Sequence, residues 1–284
     1  MSQDLKGRDP RLTPAKATLA AESLRGIVDA PFYNEGVKRR VVEPVAAVRR
    51  APSSTAALDT EALQGEIVTI YEDEGEGWAW GQLEADGYVG YLPSESLAAL
   101  GPAPTHKVRA QRTFLFPGPD IKLPPRAVLP FGGRVEVRDL RGALAVTPQG
   151  FLPAVHLVPV DHVEGDFVDV AARFLGTPYL WGGRSAFGLD CSGLVQTALA
   201  ACGIAAPRDS DQQEAALGAA VPLDTPLRRG DLLFWPGHVA IVEDEANLLH
   251  ANAFAMSVAR EPLPAALARI GATTPLRSIK RLEG

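Results

Sequence analysis

Apolar positions after residue 190 recur every three to four residues. The members of this stripe are Leu194, Val195, Ala198 and Cys202. The spacing predicts a helix that ends at Gly203. Asp190 is a suitable N-cap, because its side-chain oxygen accepts a free backbone N–H of the first turn. Cys191 therefore lies at the start of the helix, where the helix dipole favours a thiolate and a lowered thiol pKa is expected.

A second helical stripe precedes this one, and short apolar runs of β type follow it. The earlier stripe ends at Gly176 and consists of Phe167, Val170, Ala171 and Phe174. An Ala-rich piece after the loop 207–213 is also expected to be helical. The β-type runs are 231–235, 238–243, 248–253, 257–261 and 276–282. Helices followed by an antiparallel sheet predict an α+β domain over residues 161–284.

Residues 41–103 carry short β-type runs with close glycine and acidic turns between them. The runs are 45–48, 67–71, 78–83 and 88–92. This pattern predicts a small all-β barrel. The preceding residues 1–40 are interpreted as an N-terminal extension, with a helix over residues 14–25 and a loop over residues 31–40.

Residues 104–160 repeat landmarks of the first β module. The pattern G-x-x-V-x-[IV] occurs at residues 65–70 and again at residues 132–137. Later, GYLP at 90–93 with Leu97 corresponds to GFLP at 150–153 with Leu157. Two matched landmarks in the same order predict a duplicated barrel.

Composition and charge narrow the functional classes. The 284 residues are 46% hydrophobic and 22% charged, which suits two or three globular domains, and the net charge of −6 argues against a nucleic-acid partner. The sequence has no segment like a signal peptide or a membrane span, so no membrane partner is expected. Cys191 and Cys202 fall about three turns apart in one predicted helix, so they are not expected to form a disulfide. A cytoplasmic location is predicted.

The candidate chemistry combines a cysteine with two histidines. His238 begins one predicted strand and His250 lies in the next, and neighbouring antiparallel strands can place two such side chains on one face. If the sheet packs on the Cys191 helix, the three residues follow the nucleophile, base and orienting-residue logic of a cysteine hydrolase. Taken singly, each is more often structural: a buried core cysteine, or a histidine with satisfied hydrogen bonds. A zinc site is conceivable, but the ligands lack close paired spacing.

Four short blocks of sequence resemble the NlpC-type cysteine peptidases, papain-like enzymes that cut bacterial cell-wall peptides. The blocks are YLWGG at 179–183, DCSGL at 190–194, GDLLFW with GHVAI at 230–241, and HA at 250–251. The resemblance covers about residues 164–284. The two β modules look like bacterial SH3-like barrels, and the whole layout resembles the γ-D-glutamyl-L-diamino acid endopeptidases, also called dipeptidyl-peptidase VI. The resemblance implies two small all-β SH3-like barrels followed by an α+β papain-like catalytic domain.

The resemblance also implies catalytic roles, residue by residue. Cys191 would be the nucleophile, His238 the base, and His250 the third residue that orients His238. Tyr179 matches the tyrosine that lines the oxyanion hole, where its hydroxyl and the Cys191 backbone N–H would hold the tetrahedral oxyanion. An aromatic side chain packed under the loop would explain Tyr179 equally well.

The resemblance to the γ-D-glutamyl-L-diamino acid endopeptidases further implies a second set of residues, which would hold the free amine of a substrate's N-terminal L-Ala. These substrate-binding candidates are Asp190, Ser192, Ser210, Tyr88 and Asp59. A desolvated ammonium needs acceptors and a counter-charge, which Asp190 supplies and Asp59 would add from the first barrel. Helix capping alone would also explain Asp190, and Tyr88 equally fits a barrel core.

The predicted function is hydrolysis of the bond between γ-D-glutamate and diaminopimelate or lysine in freed muropeptides, for peptidoglycan recycling. No metal or organic cofactor is expected. One alternative is an exported hydrolase of intact peptidoglycan, with the barrels as wall anchors. A second is a non-catalytic peptide-binding protein, whose unactivated Cys191 would alkylate slowly. A third is another papain-like activity such as acyl transfer.

Overall fold

The structure is a computed structural model, and it describes residues 5–73 and 75–282. The chain divides into two compact units between Asp161 and His162. The short 3-10 helices of the first unit are Glu22–Leu24, Ser94–Ser96 and Ala154–His156. Its strands are β1 (Ala15–Lys16), β2 (Leu19–Ala21), β3 (Phe32–Asn34), β4 (Val37–Val41), β5 (Val45–Arg49), β6 (Leu58–Leu63), β7 (Ile67–Asp73), β8 (Trp78–Leu83), β9 (Val89–Pro93), β10 (Leu97–Ala99), β11 (His106–Val108), β12 (Arg112–Leu115), β13 (Ala127–Pro130), β14 (Arg134–Val135), β15 (Asp139–Arg141), β16 (Leu144–Thr147), β17 (Gly150–Pro153) and β18 (Leu157–Pro159).

A seven-stranded antiparallel sheet dominates the first unit, in the order β10-β4-β7-β8-β9-β5-β6. Buried positions alternate along β5 and β9, as Ala46 and Val48 do in β5, because successive side chains point to opposite faces. Gly81 sits where β8 crosses β7 closely, since a Cβ there would lie 2.6 Å from the Thr69 carbonyl oxygen. The buried core of this sheet consists of Val41, Ala46, Val48, Ala62, Val68, Ile70, Ala79, Leu83, Tyr88 and Leu92.

The helix predicted over residues 14–25 is wrong. The segment forms β1, β2 and a single 3-10 turn instead. Leu19 and Leu24 are buried in a cluster with Tyr71 and Trp80 of the large sheet, so tertiary packing overrides the local helical preference of an alanine-rich stretch. The loop predicted over residues 31–40 likewise contains β3 and most of β4, which pairs with β7.

Residues 106–159 form three small antiparallel sheets with a core of their own. That core consists of Val108, Leu115, Leu129, Val135 and Leu152. The repeated landmarks occupy the same local structure in both halves: β9, a 3-10 turn and β10, then β17, a 3-10 turn and β18. The sheets are mostly antiparallel, as an SH3-like domain requires. Among the described residues none of them closes into a barrel, and the second barrel stays a prediction.

The described residues of the second unit form four helices and a six-stranded antiparallel sheet. The elements are α1 (Phe167–Ala172), β19 (Arg184–Ser185), β20 (Gly188–Leu189), α2 (Cys191–Ala201), α3 (Ser210–Ala216), β21 (Ala219–Val221), β22 (Leu232–Trp235), β23 (His238–Val242), β24 (Asn247–Asn252), β25 (Ser257–Pro262), α4 (Leu263–Gly271) and β26 (Ser278–Arg281). The strand order of the large sheet is β21-β26-β22-β23-β24-β25. Helix α2 packs against β23 and β24, and α4 covers a sheet face that includes Ala240, Val242 and Leu248. Strands β22 to β26 fall within or beside the five predicted runs, whereas the sequence does not predict α4 or β21.

None of the helices in the described part of the chain is long and apolar enough to cross a bilayer.

Candidate active site

The cysteine thiol lies where helix α2 begins. Cys191 is the first residue of α2, and Asp190 caps the helix by accepting the Gly193 N–H at 2.7 Å. Cys191 is only 7% exposed. The backbone N–H groups of Ser192 and of Val239, the residue after His238, hydrogen-bond to its sulfur and lower its pKa. The structure therefore brings the thiol to the start of β23, beside His238.

Burial nevertheless dominates the protonation of this thiol. Burial, with a smaller contribution from the neighbouring Asp190 carboxylate, raises the pKa of Cys191 to about 12, against the lowering effect of the two N–H groups and Arg208. The lowered pKa expected from the helix dipole is not found, because desolvation of a thiolate outweighs the dipole at a buried site. The resting site thus holds a protonated thiol.

Asp190, Ser192 and Arg208 form a buried charge network behind the nucleophile, which we call the anchor network. Arg208 is 1% exposed and makes a bidentate ion pair with Asp190, at 2.9 and 2.6 Å. Its guanidinium also donates to Ser192 Oγ at 3.0 Å. The Asp190 carboxylate further accepts the Gly182 N–H at 2.9 Å. Because one carboxylate joins the helix start to two other segments, the position of Cys191 is tightly specified.

A second polar chain, which we call the base network, contains His238, His250, Glu261 and Arg269. His238 Nε2 lies 2.9 Å from His250 Nδ1, and His250 Nε2 lies 3.1 Å from Glu261 Oε2. Arg269 of α4 clamps Glu261 with two hydrogen bonds, of 2.8 and 2.6 Å. The Trp235 ring packs on His238 with the ring centroids 5.7 Å apart. The imidazole thus lies between an aromatic ring and a row of hydrogen bonds.

Strand register explains why these side chains meet. Leu248 pairs with Val242 on one side and with Glu261 on the other, and paired residues share a face. Residues two apart also share a face, so His238 and His250 lie on the Leu248 face with Glu261. Helix α4 covers that same face.

Burial keeps both imidazoles neutral. Burial, with smaller contributions from the nearby His250 and Arg269, lowers the pKa of His238 to about 3, while Glu261 acts in the opposite direction. Burial also lowers the pKa of His250, against the raising effect of Glu261. The Arg269 hydrogen bonds lower the pKa of Glu261, so this carboxylate is ionised. A neutral imidazole is the form that can accept a proton from a thiol.

Tyr179 lies beside the nucleophile. Its backbone N–H bonds to the Met256 carbonyl at 2.9 Å, which ties the YLWGG loop to the turn before β25. Burial is the main cause that raises the pKa of Tyr179 to about 12, with smaller contributions from the Asp190 carboxylate and from Cys191 when it is a thiolate. The phenol therefore stays protonated and can donate a hydrogen bond.

The predicted amine-binding residues belong to both units of the chain, and each group is described within its own unit. Ser192 belongs to the anchor network, and Ser210 starts α3, which is joined to α2 because Gln213 Nε2 donates to the Ser192 carbonyl at 2.9 Å. Tyr88 and Asp59 belong to the first unit, where both line one cavity of about 430 Å³. Tyr88 also belongs to the sheet core, and Asp59 pairs with Arg50 at 2.6 Å.

Three charged residues of the site escaped prediction from sequence. The sequence places Arg208 in a loop and Glu261 at the end of a strand, and assigns neither a role. Arg269 lies on α4, a helix that was not predicted. The alternation of side chains along β25 shows which residues share a face with Glu261. It does not show whether that face is the one that carries the histidines. Among residues 5–73 and 75–282, no cluster of three or more His, Cys, Asp or Glu side chains is suited to hold a metal ion.

Comparisons with known proteins identify two domains in this chain. A model of the NlpC/P60 family matches residues 176–266, which include Cys191, His238 and His250. A model described as the bacterial dipeptidyl-peptidase Sh3 domain matches residues 48–97. An SH3-like domain therefore precedes an NlpC/P60 catalytic domain.

Two curated relatives cover most of the chain. A gamma-D-glutamyl-L-lysine dipeptidyl-peptidase of Bacillus subtilis is 32% identical over 222 residues, which are 68% of this chain and 72% of the relative. A protein of the same name from Bacillus cereus is 28% identical over 72% of this chain and 71% of its own length. The crystal structure of an NlpC/P60 family protein from Bacillus cereus superposes with a TM-score of 0.72 at 22% identity. It covers 86% of this chain and 99% of its own, which shows a shared fold.

Proposed function

We propose that this chain, which belongs to the NlpC/P60 family and is a cysteine-type endopeptidase, hydrolyses the bond between γ-D-glutamate and a diamino acid in short cell-wall peptides. The proposal depends on one observation: the Val239 N–H donates a hydrogen bond to the Cys191 sulfur, and the preceding residue, His238, is the first member of the base network. The bond itself is inferred from the two relatives, both named for the γ-D-glutamyl-L-lysine linkage.

In the first step the Cys191 sulfur attacks the γ-carbonyl carbon of D-glutamate. His238 takes the thiol proton as the S–C bond forms, because the resting pair is a thiol and a neutral imidazole. The carbonyl oxygen becomes an oxyanion. Its donors in this proposal are the Tyr179 hydroxyl and the Cys191 backbone N–H. The raised pKa of Tyr179 supports this role, since the phenol keeps its proton.

The tetrahedral intermediate then collapses. The C–N bond breaks, and the diamino acid leaves as its amine after His238 gives it the proton. A thioester joins Cys191 to the γ-carboxyl of D-glutamate. Water attacks this thioester as His238 takes a proton from it, and the departing sulfur recovers that proton. The dipeptide L-Ala-D-Glu is released.

The proposal includes recognition of a free N-terminal amine. Asp190 is the acidic candidate beside the nucleophile, and its side chain is 11% exposed although Arg208 already balances its charge. Tyr88, Asp59, Ser192 and Ser210 complete the proposed set. The requirement for an unblocked amine would restrict the enzyme to peptides already freed from the wall. Recycling of such muropeptides in the cytoplasm is therefore the proposed role, and the two free cysteines are compatible with a reducing compartment.

The decisive experiment uses L-Ala-γ-D-Glu-diaminopimelate, its lysine analogue, and N-acetylated forms of both. Release of L-Ala-D-Glu is followed by liquid chromatography and mass spectrometry. We expect cleavage of the free peptides and at least about a 100-fold lower kcat/KM for the acetylated ones, because acetylation removes the ammonium that the acceptors of the proposed amine site would bind.

The matched control is Cys191→Ala, which removes only the sulfur and should abolish turnover while the thermal melt is retained. Equal cleavage of free and acetylated peptides would refute the amine requirement. Failure to cleave either free peptide would refute the proposed bond. Cell fractionation tests the location separately, and recovery of the protein outside the cytoplasm would contradict a recycling role.

A further inference from the structure

We propose that Glu261, held by Arg269, is a positioning residue that selects the tautomers of His250 and His238 and so leaves the proton-accepting nitrogen of His238 free. The inference rests on the proposed roles of Cys191 and His238. It extends the base network to a residue that neither the motifs nor the resemblance singled out.

The argument starts from the carboxylate. An ionised carboxylate is only an acceptor, so the His250 nitrogen 3.1 Å away from it, Nε2, must carry a proton. A neutral imidazole has one N–H, so His250 Nδ1 is left as an acceptor. Its partner His238 Nε2, at 2.9 Å, must therefore be the donor. The proton of neutral His238 is then on Nε2, and Nδ1 has the free lone pair.

Glu261 itself is held in place from outside the histidine pair. Arg269 donates to both carboxylate oxygens of Glu261. Both side chains are partly shielded from solvent, Glu261 at 15% exposure and Arg269 at 31%. The clamp leaves Glu261 Oε2 directed at His250. Without this charge the two neutral tautomers of each imidazole would lie closer in free energy, since a chain of two imidazoles can donate in either direction.

Charge adds a second effect when His238 becomes an imidazolium. The groups that act on it are His250 from β24, Glu261 from β25 and Arg269 from α4. Glu261 is the anionic member of this set. It favours the imidazolium and offsets Arg269, so its loss would make proton uptake harder as well as less directed.

The test compares three variants in a Cys202→Ser background, where Cys191 is the sole thiol. Glu261→Leu removes charge and acceptor, Glu261→Gln keeps an acceptor oxygen, and Glu243→Gln is the matched control. Glu243 directly follows β23 and forms an ion pair with Arg260 of β25, but it is not part of the base network. The substrate-free readouts are the rate of Cys191 alkylation by iodoacetamide against pH and the nitrogen-15 shifts of labelled histidines. Steady-state kcat and KM are measured alongside.

We expect Glu261→Leu to lower both kcat and the alkylation rate by about 100-fold with KM within about twofold. Histidine spectra should change from the Nε2–H forms to a tautomer mixture. Glu261→Gln should lower kcat and the alkylation rate by about 10-fold. The acid limb of the alkylation rate against pH should shift to lower pH, because the carboxylate that favours the imidazolium is gone. Glu243→Gln should remain within about twofold of its parent.

Parent-like alkylation rates and histidine tautomers in Glu261→Gln would overturn the inference, as would a loss in Glu243→Gln as large as that in Glu261→Leu. If Glu261→Leu fails to fold, the Gln variant and its spectra decide alone. If the parent does not cleave the γ-D-glutamyl peptides, the proposed function is wrong. The alkylation rates and histidine tautomers would still test the positioning role of Glu261, because neither measurement needs a substrate.

Discussion

The anchor network and the base network belong to the same active site, but their charged groups are arranged in different ways. Asp190 and Arg208 form a closed ion pair in which charge is balanced within one contact. His238 and His250 are two neutral rings in series, and charge enters only at the far end, with Glu261 and Arg269. The Asp190–Arg208 pair fixes the position of the start of α2, because each charged group is already paired with the other. The base network leaves a proton free to move, because each imidazole can exchange one N–H for another.

This difference separates stability from reactivity within one site. A buried ion pair costs much to break, because removing one partner leaves the other charged and desolvated. A chain of neutral rings contributes less to folding but decides which nitrogen accepts a proton. Variants of the two networks should therefore fail in different ways.

The largest expected effect comes from removing the base. His238→Asn should lower kcat/KM for the γ-D-glutamyl peptide by about 10⁴-fold or more, since no group remains to take the thiol proton. The urea midpoint should change little, because the anchor network is intact. His106→Asn, in the first unit, is the control and should keep full activity. A residual activity within tenfold of the parent would remove His238 from the mechanism.

Breaking the anchor should instead act on stability. Arg208→Met keeps the volume but leaves the Asp190 carboxylate buried without its counter-charge, and should lower the free energy of unfolding by about 3–5 kcal/mol. Arg277→Met removes a half-exposed partner of Glu214, and should cost far less stability, because water screens an exposed ion pair. Urea unfolding of both variants measures the contrast. Equal losses would mean that burial does not distinguish the two pairs.

The smallest effect is a pH dependence of stability specific to the base network. His238 has a pKa of about 3 in the folded protein against 6.5 for the model group, so the unfolded chain binds more protons between these values. The stability contributed by neutral His238 is present above pH 6.5 and is lost as pH falls towards 3. At pH 4.5 we expect a loss of about 2 kcal/mol relative to pH 7. His238→Asn should lack this component, and identical pH curves for both proteins would contradict a buried neutral His238.

Much of the second unit could be predicted because its signals are local. The stripe from Leu194 to Cys202 and the cap at Asp190 lie within one helix, and α2 follows them. The β-type runs around His238 and His250 likewise coincide with β23 and β24. The first unit shows the limit of such signals. Residues 14–25 have helical composition, yet burial of Leu19 and Leu24 against Tyr71 and Trp80 draws them into strands and a 3-10 turn.

The sequence by itself determined the family, the cysteine-peptidase activity, and the order of motifs that carries the candidate nucleophile and base. Period, caps and short motifs are written in neighbouring residues, so they need no knowledge of the rest of the chain. Only the tertiary structure decided the partners of those residues. Strand register joined Glu261 to His250, the packing of α4 supplied Arg269, and burial of Arg208 and Cys191 set the charges. Each of these depends on contacts between distant segments and on desolvation, which the order of residues along one element does not reveal.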